Sequence, residues 1–450
     1  MYLAPLWRIT LGMQNKYAVS SSLFETMFDQ HLPAIMVGRI LDQCGPARRC
    51  PPRLPAAQLI KGLVFHNLAG SGSLSQHMKD LTGETISDSA LAQRRAAMPW
   101  EVFQRIMKEG LEPKAKEKLH PQAFYHGWRL CAVDGTLFSI ANTPVVKMTM
   151  SKANSRRMKA AFAKIGAVVM VEAGLHNPIA AAIGWNGQSE MELAGEVLES
   201  LPANSLLLGD RYYGVPKVVA RLNKDKNRQY LIRVRSNLQS KVLEAYGDGS
   251  ALVEIQSEGK SMQVREIMGR VCRANGKWTA VRLWTSLLDW KAHPARELIA
   301  LYARRWEEEV FYKELKVDMR STPLVRSHTP ETAAQEIAAL ILAHAILTEE
   351  RVQAGKVGEV GVLRISFLKT LESLRGLWNF LELTEGLLDP KAIRLVVRRT
   401  MRKIAERAIP KRRNRSCPRA VRQPVGSWPR LTENNYQAGE LNYELLPIQQ

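Results

Sequence analysis

The chain has 450 residues, and 64 Lys and Arg against 43 Asp and Glu give it a formal net charge of +21. Its length suits two or three domains with a real core, and so basic a balance calls for a polyanionic partner, nucleic acid first. Five scattered cysteines with no CxxC pair exclude a disulfide framework and a Cys-rich zinc site, and they fit a reducing cytoplasm.

Met1 to Ser20 lacks the basic start, apolar run and small-residue cleavage site of a signal peptide. Residues 1–125 read as helical. Ser21–Cys44 and Ala56–Leu68 carry apolar residues at three-and-four spacing, and Pro33 kinks or splits the first. Ser87 caps a further helix, Ala90–Ala97, which bears Arg94 and Arg95, and Pro99-Trp100-Glu101 opens Val102–Gly110. Short helices with a basic face suit a DNA-binding domain, and equally a plain bundle with solvated arginines.

The pattern changes near Trp128. Leu130–Asn142 reads as a buried strand with one acid inside it, Asp134. Ile165–Ala173 and Ile179–Trp185 read as two more strands, Ser189–Leu201 as a helix, and Leu206–Gly209 as a short strand ending at Asp210. Three strands, a helix and a strand make an α/β core. Residues 226–291 alternate in short segments, Tyr230–Arg235, Ala251–Ile255, Met262–Val271 and Thr279–Trp284, and read as a mainly β insertion. Gly269 and Gly276-Lys277 stand too far apart for a P-loop. Pro294–Lys316 reads as one long helix, followed by Pro330–Ala354 and Val362–Leu383. Acids and a histidine interrupt the longest apolar stretches, Ile165–Trp185 and Ala333–Leu347, so no membrane span is expected. From Lys391 to Arg422 thirteen Lys and Arg face one acid, Glu406, as a basic tail.

Three acids stand out. A carboxylate in an apolar strand is costly unless it is paired, hydrogen-bonded or bound to metal; Asp134 lies inside one expected strand and Asp210 at the end of another, and each also fits a simple strand-end turn. In the helix YARRWEEEVFYKELK, the offsets of Tyr302, Arg305, Glu309 and Lys316 put all four side chains within an arc of about 60°. In isolation Arg305 and Glu309 are an ordinary i,i+4 ion pair. Together with Asp134 and Asp210, Glu309 would complete an oxygen-lined site suited to Mg²⁺ or Mn²⁺ and not to zinc. Two such ions serve phosphodiester chemistry, with Arg305 and Lys316 holding flanking phosphates.

Tyr302-x2-Arg305-x3-Glu309-x6-Lys316 resembles the YREK signature of the insertion-sequence-four type of DDE transposases. Asp134 in VDGT and Asp210 in a DRYY turn resemble that family's first and second acids, and 98 residues separate Asp210 from Glu309. The resemblance covers roughly residues 20 to 390. It implies an α/β, RNase H-like catalytic core interrupted by the mainly β insertion, with a helical N-terminal domain and a helical and basic C-terminal region. The expected layout is a DNA-binding domain at 1–125, core at 126–225 and 292–390, insertion at 226–291 and basic tail at 391–450. The resemblance further implies cut-and-paste transposition of an insertion sequence, with Asp134, Asp210 and Glu309 binding two Mg²⁺ or Mn²⁺ ions.

In that scheme double-stranded DNA, both transposon end and target, is the partner. A homodimer pairs two ends in a synaptic complex, with no membrane involved and a cytoplasmic, nucleoid-associated location. Tyr302, Arg305 and Lys316 contact DNA near the scissile bond, and Arg211 joins them from the second turn. A hairpin route needs a flipped base with somewhere to stack, for which Trp284 is favoured over Trp290, although either fits a plain core. Arg233 and Arg235 alternate onto one strand face and would grip the DNA backbone or be solvated. The alternatives are a metal-dependent nuclease on the same core and a catalytically silent DNA-binding regulator.

Overall fold

The computed structural model describes residues 19–46, 54–150, 161–272, 278–320 and 322–409. Six helices open it: α1 Val19–His31, α2 Ala34–Cys44, α3 Ala56–Leu68, α4 Leu74–Thr82, α5 Asp88–Ala96 and α6 Trp100–Gly110. Prolines at positions 33, 55 and 99 precede α2, α3 and α6, where a missing N–H costs least, and Pro33 separates α1 from α2. A Ser73–Gln76 capping box starts α4, a helix the periodicity did not reveal, and the Ser87 hydroxyl accepts from the Ala90 N–H to start α5.

The arginines of α5, expected either to face DNA or to be solvated, are engaged within the chain. Arg94 donates to the Leu54 carbonyl, and Arg95 donates to Ser327 Oγ at 2.7 Å and to the Thr332 carbonyl at 2.8 Å. Both act as internal ties, the second binding the N-terminal helices to the C-terminal half.

One continuous sheet follows. Its strands are β1 Phe124–Tyr125, β2 Trp128–Ile140, β3 Ala163–Glu172, β4 Asn177–Gly184, β5 Ser205–Gly209, β6 Arg228–Arg233, β7 Lys241–Ala245, β8 Ala251–Ser257, β9 Lys260–Cys272 and β10 Trp278–Thr285, with a short β11 Leu324–Val325 beside β2. Helices α7 Pro144–Thr149, α8 Glu190–Glu199 and α9 Pro216–Leu222 lie between strands. The spatial order is β4-β3-β2-β5-β6-β10-β9-β8-β7. β4, β3 and β2 are antiparallel, whereas β2, β5 and β6 are parallel.

Period-two alternation splits β2 between two cores. Leu130, Ala132, Phe138 and Ile140 join the large cluster on one face, and Cys131 and Val133 join the cluster on the other. The first segment assigned to the insertion, Tyr230–Arg235, is corrected in one respect. Its residues in β6 pair in parallel with β5 through the α9 crossover, so they extend the parallel set. β10 then pairs with β6, which welds the antiparallel strands β7 to β10 onto that sheet.

The single long helix expected from Pro294 to Lys316 is instead four consecutive pieces. They are α10 Ala295–Tyr302, a 3₁₀ turn Ala303–Arg305, α11 Trp306–Lys313 and a π turn Glu314–Asp318. α12 Pro330–Gly358 runs through the centre, buried along most of its length, and α13 Phe367–Leu383 and α14 Pro390–Glu406 pack beside it. The basic stretch read as a tail thus begins as an ordered helix. Residues 410–450 lie outside the described ones. No helix among the described residues is long and apolar enough to cross a membrane.

Candidate active site

The strand register brings the two aspartates together. β2 and β5 pair in parallel as far as Val133 opposite Gly209, so Asp134 and Asp210 are the next residues on neighbouring strands, which lie about 4.8 Å apart. Alternation puts both on the face that α11 covers.

Asp134 Oδ1 accepts from its neighbour's N–H (Gly135) at 2.9 Å, and its own carbonyl accepts from the Tyr312 hydroxyl at 2.6 Å. Asp210 Oδ1 accepts from the Tyr212 N–H at 2.7 Å, which folds the DRYY turn back on itself. Burial first, and then the Asp210 charge, push the Asp134 carboxyl up to about 6, against the pull of Arg305. Asp134 is therefore an acid short of positive charge.

The helical run opposite supplies the rest. Arg305 Nη2 donates to Glu309 Oε1 at 2.9 Å, and its Nη1 stands 3.8 Å from Asp134 Oδ2. Asp134 and Glu309 therefore face each other through one guanidinium. Lys316 Nζ donates to Thr136 Oγ1 at 3.0 Å and to the Leu137 carbonyl at 2.8 Å, so it is pinned to the strand that carries Asp134. Burial pushes the Tyr302 hydroxyl up to about 12. Arg211 and Arg235 are exposed, while Arg233 is partly buried and donates weakly to the Ala280 carbonyl at 3.4 Å.

Trp284 is corrected. It is fully buried in the smaller core, and its indole N–H donates to Glu266 Oε2 at 2.8 Å, so no base can reach its face. Trp290 is partly exposed and stacks on Tyr246 at 6.2 Å.

Some residues of the site were not legible beforehand. Glu190, at the start of α8, accepts from the Tyr213 hydroxyl at 3.1 Å, and its carboxyl is pushed up by burial and then by the Asp210 charge. A Cβ at Gly135 would meet that carboxyl, and the flexible Glu190 side chain would have to shift to admit it. Glu308 is fully buried with neither carboxylate oxygen hydrogen-bonded, and burial and then Asp134 push it well above the usual range. One turn further on, Glu314 sits in a closed network. It meets His176 Nδ1 at 3.0 Å, His344 Nε2 at 3.2 Å and Arg351 Nη1 at 2.9 Å, and His176 Nε2 faces Glu307 at 2.8 Å. Burial opposes the Glu314 charge, but His176 and Arg351 hold the carboxyl well below the usual range.

Among the described residues no three His, Cys, Asp or Glu side chains stand close enough together to hold a metal ion. The donor set nevertheless suits a hard divalent cation: the side-by-side acids offer only oxygen, and Asp134 is raised by burial and then by the charge of Asp210. Arg305 lies between Asp134 and Glu309, 3.8 Å from the first and 2.9 Å from the second.

Comparison with known proteins gives a consistent picture. Residues 126–346 match the transposase DDE domain family. The chain is 25% identical over 430 residues to the transposase InsG for insertion sequence element IS4 of Escherichia coli (strain K12), covering 90% of this chain and 93% of that one. It is 26% identical over 235 residues to the putative transposase InsZ of the same organism, covering 48% of this chain and 74% of that one. A solved piggyBac transposase synaptic complex with hairpin DNA aligns over 89% of this chain and 88% of that chain, at 12% identity and a TM-score of 0.44.

Proposed function

We infer from the match of residues 126–346 to the transposase DDE domain family and from the likeness to the IS4 transposase that this chain is the DNA transposase of an insertion sequence, with Asp134, Asp210 and Glu309 as its catalytic, metal-binding acids. The observation that carries the assignment of acids is the strand register, which sets Asp134 beside Asp210 while Arg305 presents Glu309 from the facing helix. The strand order and directions of β4-β3-β2-β5-β6 suit an RNase H-like core, with β7 to β10 as its insertion and the helices before β1 as a DNA-binding region.

The three acids would hold Mg²⁺ or Mn²⁺, two ions in this reading, which when bound activate the attacking water or 3′-hydroxyl and stabilise the leaving oxygen. Arg305 offers a forked pair of donors to a phosphate, and Lys316 a point charge fixed against β2. Tyr302 packs behind them. Arg211, Arg233 and Arg235 line the approach to the parallel strands as contacts for the DNA backbone. Two copies would pair transposon ends in a homodimeric synaptic complex, cutting and pasting the element, with a hairpin as one route for second-strand cleavage.

The test is incubation of the full chain and Mg²⁺ with the DNA that flanks its own gene, read on denaturing gels. Wild type should give nicked or excised ends. Asp134→Asn, Asp210→Asn and Glu309→Gln should each lower cleavage roughly 100- to 1000-fold, the scale for removing one preorganised electrostatic group, while DNA binding persists. Full cleavage by any one of them removes that residue from the metal site.

A further inference from the structure

α14 is a helix whose exposed side is almost wholly cationic. Ile393, Val397, Met401, Ile404 and Ala405 are buried, and Ala405 abuts Gly358 at the end of α12. The other face exposes Lys391, Arg394, Arg398, Arg399, Arg402 and Lys403. At three-and-four spacing these form two adjoining rows, Arg394-Arg398-Arg402 and Lys391-Leu395-Arg399-Lys403. The acids of this segment stand at its ends: Asp389 is spent capping the Ala392 N–H at 2.7 Å, and Glu406 is in the last turn.

This arrangement works against the helix itself. Arg394 with Arg398, Arg398 with Arg402, and Arg399 with Lys403 are like-charge i,i+4 pairs, which destabilise a helix. Lys391 and Arg394 also crowd the positive end of its dipole. Among the described residues no ion pair is formed by any of the six. A solvated helix gains nothing from such a pattern, whereas a regularly spaced polyanion laid along it neutralises both rows at once. From Lys391 to Lys403 the rows run roughly 18 Å, over which one strand of duplex DNA presents about five phosphates.

We propose that the exposed face of α14 is a second, sequence-independent binding surface for the sugar-phosphate backbone of double-stranded DNA, separate from the catalytic acids. The proposal rests on the transposase reading only for the identity of the polyanion.

The experiment uses the full chain without divalent ions, measuring its affinity for a duplex of arbitrary sequence as salt is raised. The Arg394→Gln/Arg398→Gln/Arg402→Gln variant should lower the slope of log affinity against log salt by about 3, at roughly 0.9 for each phosphate that is no longer neutralised. The second row, Lys391→Gln/Arg399→Gln/Lys403→Gln, should act likewise and decides the matter if the first variant fails to fold. Relief of repulsion should leave the melting temperature of either variant unchanged or raised. An unchanged slope overturns the proposal. So does a changed oligomeric state with duplex binding intact, which would make the face a protein interface, and so does a loss confined to single-stranded nucleic acid. Asp134→Asn serves as the separate control. It should keep the wild-type slope while losing cleavage in a parallel incubation with Mg²⁺, and if it still cuts there, the catalytic reading falls and the α14 surface stands.

Discussion

Asp134 carries a pH signature at the site itself. Its carboxyl is raised from 3.8 to about 6, by burial and then by Asp210. The folded chain therefore holds that proton more tightly than the unfolded chain does. The stabilisation is complete below the unfolded value and is lost as pH rises through about 6, to a total on the order of 3 kcal/mol. In the proposed reading a cation between Asp134 and Asp210 would need the ionised acid. We expect Mg²⁺ or Mn²⁺ to raise the melting temperature at about pH 7.5 and to do little at about pH 5, because protonation competes with the ion. Equal shifts at both pH values would take Asp134 out of the metal site. Asp134 and Asp210 were legible in the sequence because an acid inside an apolar run has few bland explanations. Glu190 and Glu308 were not, because neither stands inside an apolar run.

The element carrying Glu309 departs most from its sequence reading, and the reason is visible. An uninterrupted run without glycine or internal proline predicts a uniform helix. Tertiary contacts tighten it at Ala303–Arg305 and widen it at Glu314–Asp318. The wide turn coincides with Glu314 reaching His176, His344 and Arg351, three partners from other elements that no local pattern announces. Because that glutamate is buried and balanced by cations, removing its charge strands them. Glu314→Gln should cost roughly 3 to 5 kcal/mol of stability, measured as a lowered midpoint in denaturant. A loss well under 1 kcal/mol would show that the network does not hold the turn in place. The i,i+4 pairing of Arg305 with Glu309 was foreseeable from spacing alone, and it forms. Trp284 fails as a stacking platform for a reason equally local: it sits mid-register opposite Glu266 and Ile232, with sheet on both sides.

At the scale of the molecule, strand segments were easier to find than their neighbours. The alternating segments were visible, but nothing in the sequence says that β10 pairs with β6. That one pairing joins what looked like a separate insertion to the parallel strands. β10 and β6 should accordingly show equal amide-exchange protection and open together, measured by hydrogen exchange. Faster, independent opening of β8 to β10 would show the junction to be weak.

The order of the acids along the chain has a consequence for biosynthesis. Asp134 and Asp210 leave the ribosome well before Glu309, and β2, the strand that carries the first, takes its last partner from β11, later still. A prematurely terminated product ending ahead of that point lacks Glu309 or the β11 pairing with β2. If the three acids act together as proposed, fragments from abortive translation would be unable to cleave DNA, and competence would arrive only with the nearly finished polypeptide.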